Sequence, residues 1–504
     1  METTELAPAP AGRRAWAGLA VLMLPVLLVT IDNTVLNFAL PSIAAELQPG
    51  PAMQLWLIDA YPLVLCSLLV AGGNFGDRFG RRRTLMIGLT GFAIASLGAA
   101  LAPTAELLLV GRVLTGVFGA VILPATHSLL RNMFHVRAER RLAIAIWSTG
   151  FAAGAAIGPI LGGWLVSIAG WPAVFLIAVP FAVVLLPAAP LLVSESRDPE
   201  PGPLDSLSIL LSALTLAPLV AAIKHAADGG PDALSGALAV IGIAAGALFV
   251  RRMLTVTNPM LDLRLLRRSG FTGPILVNLV SIASLTGFLF FAAQHLQLVA
   301  RLSALEAAWL LAPGALANII AGLAVVKLVK VMRPSTAIAA GLLCSAAAYL
   351  LTAITSGSPV VAAICLAYIL IGIGVGSAET LAGDMLMANI APDKAGAASA
   401  MSETAYELGT VLGVTVFGGI LTATYRSALV LPDGLTQVQA DAARATLSGA
   451  HATAGALPAT TADALMTAAG AAFDSGVLTT STIGAVLMAA AATLALTTLR
   501  RETA

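Results

Sequence analysis

Charge is what this sequence has least of. Only 11% of its 504 residues are Asp, Glu, Lys or Arg, against roughly 25% in an average soluble domain, while 58% are hydrophobic and the mean hydropathy is +0.93. That balance excludes a soluble globular enzyme. Lysine is scarcer still, with four in the chain, and the 27 basic residues are matched by 26 acidic ones for a net charge of +1. No cationic surface for nucleic acid is left over. Cys66, Cys344 and Cys365 all lie in apolar runs, where they read as small hydrophobes and impose no disulfide framework. The dipeptide Gly-Lys does not occur; without it there is no phosphate-cradling P-loop, and so no ATP motor on this chain.

What the sequence has in abundance is long apolar runs. A helix needs about 20 apolar residues to cross a bilayer, and the runs predict fourteen spans near 16–40, 53–75, 85–102, 107–130, 143–168, 173–193, 206–225, 233–250, 271–299, 307–329, 336–354, 359–388, 399–424 and 477–499. The first follows Arg13 and Arg14 without a cleavage site and reads as a retained span, not a signal peptide. Of the 27 Lys and Arg, 22 fall at the termini or in loops after even-numbered spans. The positive-inside rule makes that side, with both termini, the cytoplasmic face of a cell membrane. Residues 426–475 are a long exception among short outer loops; weakly amphipathic stretches at 436–448 and 460–473 suggest either a floppy loop or a hairpin capping an exit path.

A repeat shows at an offset of about 250 residues: the basic turn Arg78–Arg83 recurs weakly at Lys327–Arg333, and Gly154, Gly158, Gly162 and Gly163 are echoed by Gly409, Gly413, Gly418 and Gly419. The simplest organisation is a six-helix half over 1–200, two inserted helices over 201–260, and a second six-helix half over 261–504. Parallel halves of this kind place a central site at their interface in secondary transporters. Leu261 to Arg268 reads as a short interfacial helix.

Six acids fall within spans: Asp32, Asp59, Glu379, Asp384, Glu403 and Glu407. An acid at a span centre costs about 2.5–3.5 kcal/mol even on the lenient insertion scale, which makes each a functional candidate. Asp384, near the end of its span, is the one best suited to an interfacial role. At 1.5 Å per residue, Asp32, Asp59 and Arg112 lie at one level, which predicts one buried cation facing two carboxylates. Glu403 and Glu407, spaced i, i+4, share a helix face; two such charges do not both ionise cheaply in a low-dielectric cavity. Glu379 is expected at a similar depth. Six acids against one Arg suit a cationic guest, with bound protons neutralising the acids when it is absent.

Phe38, Trp56, Tyr61, Trp147, Tyr368 and Tyr406 are candidates to add cation–π attraction, although Trp16, Trp56 and Trp171, near span ends, better suit the interfacial aromatic belt. Gly150, Gly154, Gly158 and Gly162, with Pro159 among them, leave one face of the fifth span without side chains. That face serves either helix packing or a sealing surface between the halves.

Taken together, these residues resemble the major facilitator superfamily, and within it the fourteen-span drug:proton antiporters of the QacA type. Gly73-Asn74-Phe75-Gly76-Asp77-Arg78-Phe79-Gly80-Arg81-Arg82-Arg83 matches the superfamily signature between spans two and three. By that resemblance Asp77, with Gly73, Arg78, Gly80 and Arg81, belongs to a charge relay gating the cytoplasmic side. Asp32 to Pro41 is similar to the first-span motif whose Asp is implicated in proton coupling. Leu108-x3-Arg112-x3-Gly116 resembles the fourth-span motif, with Thr115 for the usual Gln and Phe118 for the usual Gly. Gly154 to Gly163 matches the antiporter motif found mainly in exporters, which assigns Gly154, Gly158, Pro159 and Gly162 to conformational gating.

The resemblance implies an all-α integral membrane protein that is not an enzyme: a proton-coupled multidrug exporter working by alternating access, whose implied substrates are dyes, quaternary ammonium compounds and fluoroquinolones. Proton coupling would fall to Asp32, Arg112, Glu403 and Glu407. Substrate would meet Asp59, Glu379, Glu403, Glu407, Trp56, Tyr61, Phe38 and Tyr406. The partners are lipophilic cations, amphipathic drugs, protons and the bilayer; the energy source is the proton gradient, with no cofactor or metal, and the unit is a monomer. The alternative is a transporter of one metabolite or nutrient on the same scaffold. A membrane enzyme built on the only DxxxD, Asp228 to Asp232, is disfavoured because that motif sits in a Gly-Pro turn.

Overall fold

A computed structural model describes residues 11–198, 205–256, 259, 261, 263–267, 269–355, 361–388 and 395–499. Among these, fourteen helices are long and apolar enough to cross a membrane, and no strand is present. They are α1 (Arg13–Leu47), α2 (Pro51–Phe79), α3 (Arg81–Ala100), α4 (Ala105–Met133), α5 (Arg137–Ala169), α6 (Pro172–Leu192), α7 (Ser206–Gly229), α8 (Ala233–Thr255), α9 (Ser269–Gln294, extended by a π-helical turn to Val299), α10 (Ala304–Leu328), α11 (Pro334–Thr355), α12 (Val361–Ala388) and α13 (Ala395–Leu412, continued through a π-helical turn, Gly413–Phe417, to Ala428). Two short helices, α14 (Gln437–Ala445) and α15 (Leu447–Ala454), precede the last span, α16 (Ala459–Thr498). Leu263–Arg267 of the expected interfacial helix forms one short 3-10 turn; residues 262 and 268 lie outside the described ones.

The loop expected at 426–475 is largely helical, and its second stretch is not a separate arm. Residues 460–473 are the first turns of α16, a single helix of 40 residues. Thr436 caps α14 through a reciprocal capping box with Gln439, so the end of the molecule bearing α14 and α15, called here the hairpin end, is ordered by local chemistry. The opposite end carries the Arg78–Arg83 turn and is called the basic end.

The apolar core shows how the halves meet. One buried cluster runs from the hairpin-end parts of α1, α2 and α6, with Phe38, Leu57 and Phe175, straight into α9–α13 and α16. Toward the basic end, α1–α6 hold their own cluster around Leu22, Phe92, Leu129 and Trp147, and Leu265, Phe271, Leu386 and Met401 form another. The halves are therefore joined at one end and separately packed at the other. α7 and α8 pair with each other, and α7 lies along both α2 and α13. Asp205 caps α7 and receives Arg252 Nη2 of α8 at 2.8 Å, fastening the inserted pair at the basic end.

Candidate transport site

The depth argument places Asp32, Arg112 and Asp59 correctly but not their pairing. Arg112 Nη1 donates to Asp32 Oδ2 at 2.6 Å, both side chains at most 2% exposed. Its Nε donates to the Leu57 carbonyl at 3.2 Å, and its guanidinium lies 4.7 Å from the centre of the Tyr61 ring. Thr115, in place of the expected Gln, spends its hydroxyl on the Arg112 carbonyl at 2.8 Å and leaves the guanidinium alone.

Asp59 does not face Arg112. Its Oδ2 pairs with Lys224 Nζ of α7 at 3.0 Å and accepts Thr415 Oγ1 of α13 at 2.6 Å. The expected single cation facing two carboxylates is corrected to two separate pairs, and the interior holds Lys224 as well as Arg112. Trp56 is not spent on the membrane interface either: Lys224 Nζ sits 4.1 Å from its ring centre. Trp171 is buried and donates Nε1 to Glu46 at 2.8 Å. Phe38 is fully buried in the core shared by the halves.

A third group lies toward the basic end. Glu403, Tyr406 and Glu407 project from α13, Glu379 and Tyr368 from α12. Glu407 is 3% exposed, and Glu403 and Glu379 are half-buried. Tyr406 lies near Glu379, Glu407 and Tyr368, all of the second half, whereas Tyr61 lies near Asp32 and Arg112 of the first half and Glu407 of the second, so Tyr61 stands between acids of the two halves. A row of rings crosses between the halves beside them: His127 to Trp147 at 5.2 Å, Trp147 to Phe151 at 5.2 Å, Phe151 to Tyr406 at 6.2 Å. Asp384 is exposed. Glu407 Oε2, Tyr61 Oη and Arg112 Nη2 are buried without a hydrogen-bond partner among the described residues. Buried polar atoms are ordinarily paired, so this underpaired set suits a guest or a proton that completes it.

The basic-end turn is built within its own half. Arg81 Nε donates to Asp77 Oδ1 at 2.8 Å, while the Glu195 carboxylate, beyond α6, accepts the backbone N–H groups of Arg82 and Arg83 at 2.9 and 3.1 Å, where a helix N-terminus favours an anion. Gly80 has φ +105°, and a Cβ there would lie 3.0 Å from Glu195; both facts call for glycine. Gly73 faces Pro124 of α4, and Arg78 is exposed.

The glycine stripe of α5 faces α1, which corrects the expected sealing surface between the halves. A Cβ on Gly150 would meet Val26, one on Gly154 would meet Thr30, one on Gly158 Thr34, and one on Gly162 Val35. Pro159 lies buried on the same helix. Of these glycines only the adjacent Gly163 faces the other half, where an added Cβ would lie 2.5 Å from the Ala304 carbonyl oxygen and 2.9 Å from Ala308 Cβ. Gly409 and Gly413 of α13 repeat the pattern against α9.

The profile of the Major Facilitator Superfamily matches residues 22–414. The chain belongs to that superfamily. Its relatives include the multidrug efflux pump LfrA of Mycolicibacterium smegmatis, 51% identical over 90% of both chains; the methyl viologen resistance protein SmvA of Salmonella typhimurium, 32% identical over 90% of this chain and 92% of that one; and the drug efflux pump JefA of Mycobacterium tuberculosis, 31% identical over 81% and 80%. A bacterial homologue of the human lysosomal transporter Spinster, in an inward-facing unoccupied form, superimposes with a TM-score of 0.70 at 18% identity, covering 98% of this chain and 99% of that one; it shares the fold.

Seen as a superfamily transporter, the chain holds three site residues that the sequence reading missed. Lys224 was legible: it is the only lysine among the five basic residues that escape the positive-inside pattern. Thr415 and Glu195 carry no comparable signal, because a hydroxyl in a span and an acid in a loop are both commonplace. Asp232 of the DxxxD motif caps α8 and accepts His225; the Asp228 side chain lies outside the described ones.

Proposed function

We propose that this chain exports lipophilic cations and amphipathic drugs, among them dyes, quaternary ammonium compounds and fluoroquinolones, in exchange for protons, as a monomer in the cell membrane with both termini in the cytoplasm. The carrying observation is the underpaired group of acids and rings between halves that share a core at the hairpin end and pack separately at the basic end. The names of the relatives, multidrug efflux pump and methyl viologen resistance protein, support drug-like and cationic passengers.

A cation entering from the basic end meets Glu407, Glu403 and Glu379 against the ring row of Phe151 and Tyr406. Its positive charge replaces protons on those carboxylates, which leave toward the cytoplasm. Net charge in a low-dielectric site is costly, so an acid stays neutralised by either a proton or a passenger, and that alternation is the exchange. The halves then part at the hairpin end, where Gly163 and Ala304 now touch. Protons arriving from outside rebind the acids and free the passenger. Asp32 and Arg112, one buried pair whose Nη2 has spare donor capacity, report the charge on Glu407 through Tyr61. The energy source is the proton gradient, and no cofactor takes part.

Cells expressing the protein are expected to retain less ethidium than controls, and a protonophore to abolish the difference. A change confined to uptake of one nutrient, with ethidium retention untouched, would move the assignment to the metabolite transporter.

A further inference from the structure

Lys224 has no place in the exchange just described, yet it occupies a complete site for a cation. Its ammonium has the Asp59 carboxylate at 3.0 Å and the Trp56 ring face at 4.1 Å, and the same carboxylate oxygen is held by Thr415 Oγ1 at 2.6 Å. Both charged side chains are at most 1% exposed. Around them Leu63, Val220 and Val411, with Leu216 and Ala217, make an apolar wall contributed by α2, α7 and α13. Carboxylate, ring face and apolar wall are the chemistry that recognises an organic cation. Here it is filled by a tethered one.

The three elements of the box come from three different parts of the chain: α2 from the first half, α13 from the second, α7 from the insertion. The box therefore sits on the seam along which the halves meet. When α2 and α13 separate, Thr415 leaves Asp59, and the carboxylate becomes reachable by a positive group other than Lys224. A lysine kept in such a place is weak evidence of stability, since buried ion pairs barely repay their desolvation; a role in selectivity explains it better.

Resting on the exporter reading above, we propose that Lys224 sets the charge selectivity of the site. Its ammonium is a resident competitor at Asp59, so a passenger with one positive centre uses the α12 and α13 acids, and a second positive centre finds the remaining carboxylate occupied.

Ethidium and propidium test this cleanly, because propidium is ethidium carrying an additional quaternary ammonium. Binding of each dye to the purified full-length protein is read by fluorescence anisotropy. In Lys224→Met the affinity ratio of propidium to ethidium is expected to rise about tenfold, a 1.4 kcal/mol preference. Lys224→Arg, which keeps the charge, should leave the wild-type ratio, and Asp59→Asn with Lys224→Met should abolish the gain. A folded Lys224→Met with an unchanged ratio overturns the proposal, as does a gain that survives in the double variant. Should Lys224→Met not fold, Lys224→Gln, which keeps a donor toward Asp59 without the charge, gives the same readout. Wild-type protein that binds neither dye overturns the exporter reading itself.

Discussion

Asp32 and Arg112 show what a single buried side chain is worth here. With both nearly inaccessible, Asp32→Asn removes one charge and strands the other, and breaking such a pair costs about 3–5 kcal/mol. The variant is expected to melt well below wild type in a detergent thermal-shift assay, and Asp32→Asn with Arg112→Gln to recover most of the loss; equal melting temperatures for wild type and Asp32→Asn would deny the pair its structural weight. Gly80 is a smaller case of the same logic. Its φ of +105° and the Glu195 carboxylate beside it predict that Gly80→Ala costs about 1–3 kcal/mol of local strain and loosens the arginine turn, read as faster tryptic cleavage at Arg78–Arg83 in inverted vesicles. The intramembrane acids were legible because charge in an apolar run is conspicuous. Their partners were not, because helical depth fixes the level of a residue but not its azimuth: Asp59 lies at the level of Arg112 and turns toward Lys224 instead.

At the scale of helices, hydropathy located every span, since each must by itself bury its backbone in hydrocarbon. It could not show that 460–473 continues into α16, as an amphipathic stretch reads alike whether it stands alone or extends a span. Glycine spacing likewise announced close approach on α5 but not the neighbour; Gly158→Leu is expected to wedge α5 from α1 at Thr34 and abolish dye efflux, whereas an intact efflux rate would mean that the stripe tolerates bulk. The inserted pair α7–α8 is fastened by Asp205 and Arg252. The guanidinium, then the Ser208 contacts, hold the Asp205 carboxyl down at about 2 against its ordinary 3.8. A carboxyl lowered in the folded state contributes stability that is fully present above about pH 4 and lost as pH falls toward 2. The melting-temperature gap between wild type and Asp205→Asn should therefore be constant from pH 5 to 8 and close below pH 4; a gap independent of pH would show that the ion pair contributes nothing.

At the scale of the whole molecule, the repeat at about 250 residues suggests two halves but not which end is shut, because that depends on contacts between residues far apart in sequence. The continuous core at the hairpin end and the separate clusters at the basic end decide it. The seal has a narrow point where Gly163 of α5 meets Ala304 and Ala308 of α10, with a Cβ at 163 only 2.9 Å from Ala308 Cβ. A disulfide needs Cβ atoms about 3.5–4.5 Å apart, so Gly163→Cys with Ala308→Cys requires α5 and α10 to move apart, and the added Cβ must also clear the Ala304 carbonyl oxygen, which would lie 2.5 Å from it. Transport by alternating access demands that this point open once per cycle, whereas loading from the basic end does not. Oxidation of the double-cysteine protein in proteoliposomes is thus expected to stop ethidium efflux at least tenfold while ethidium binding persists, and reductant to restore the rate; efflux that continues with the cross-link formed would show that the passenger leaves by a route that never parts α5 from α10.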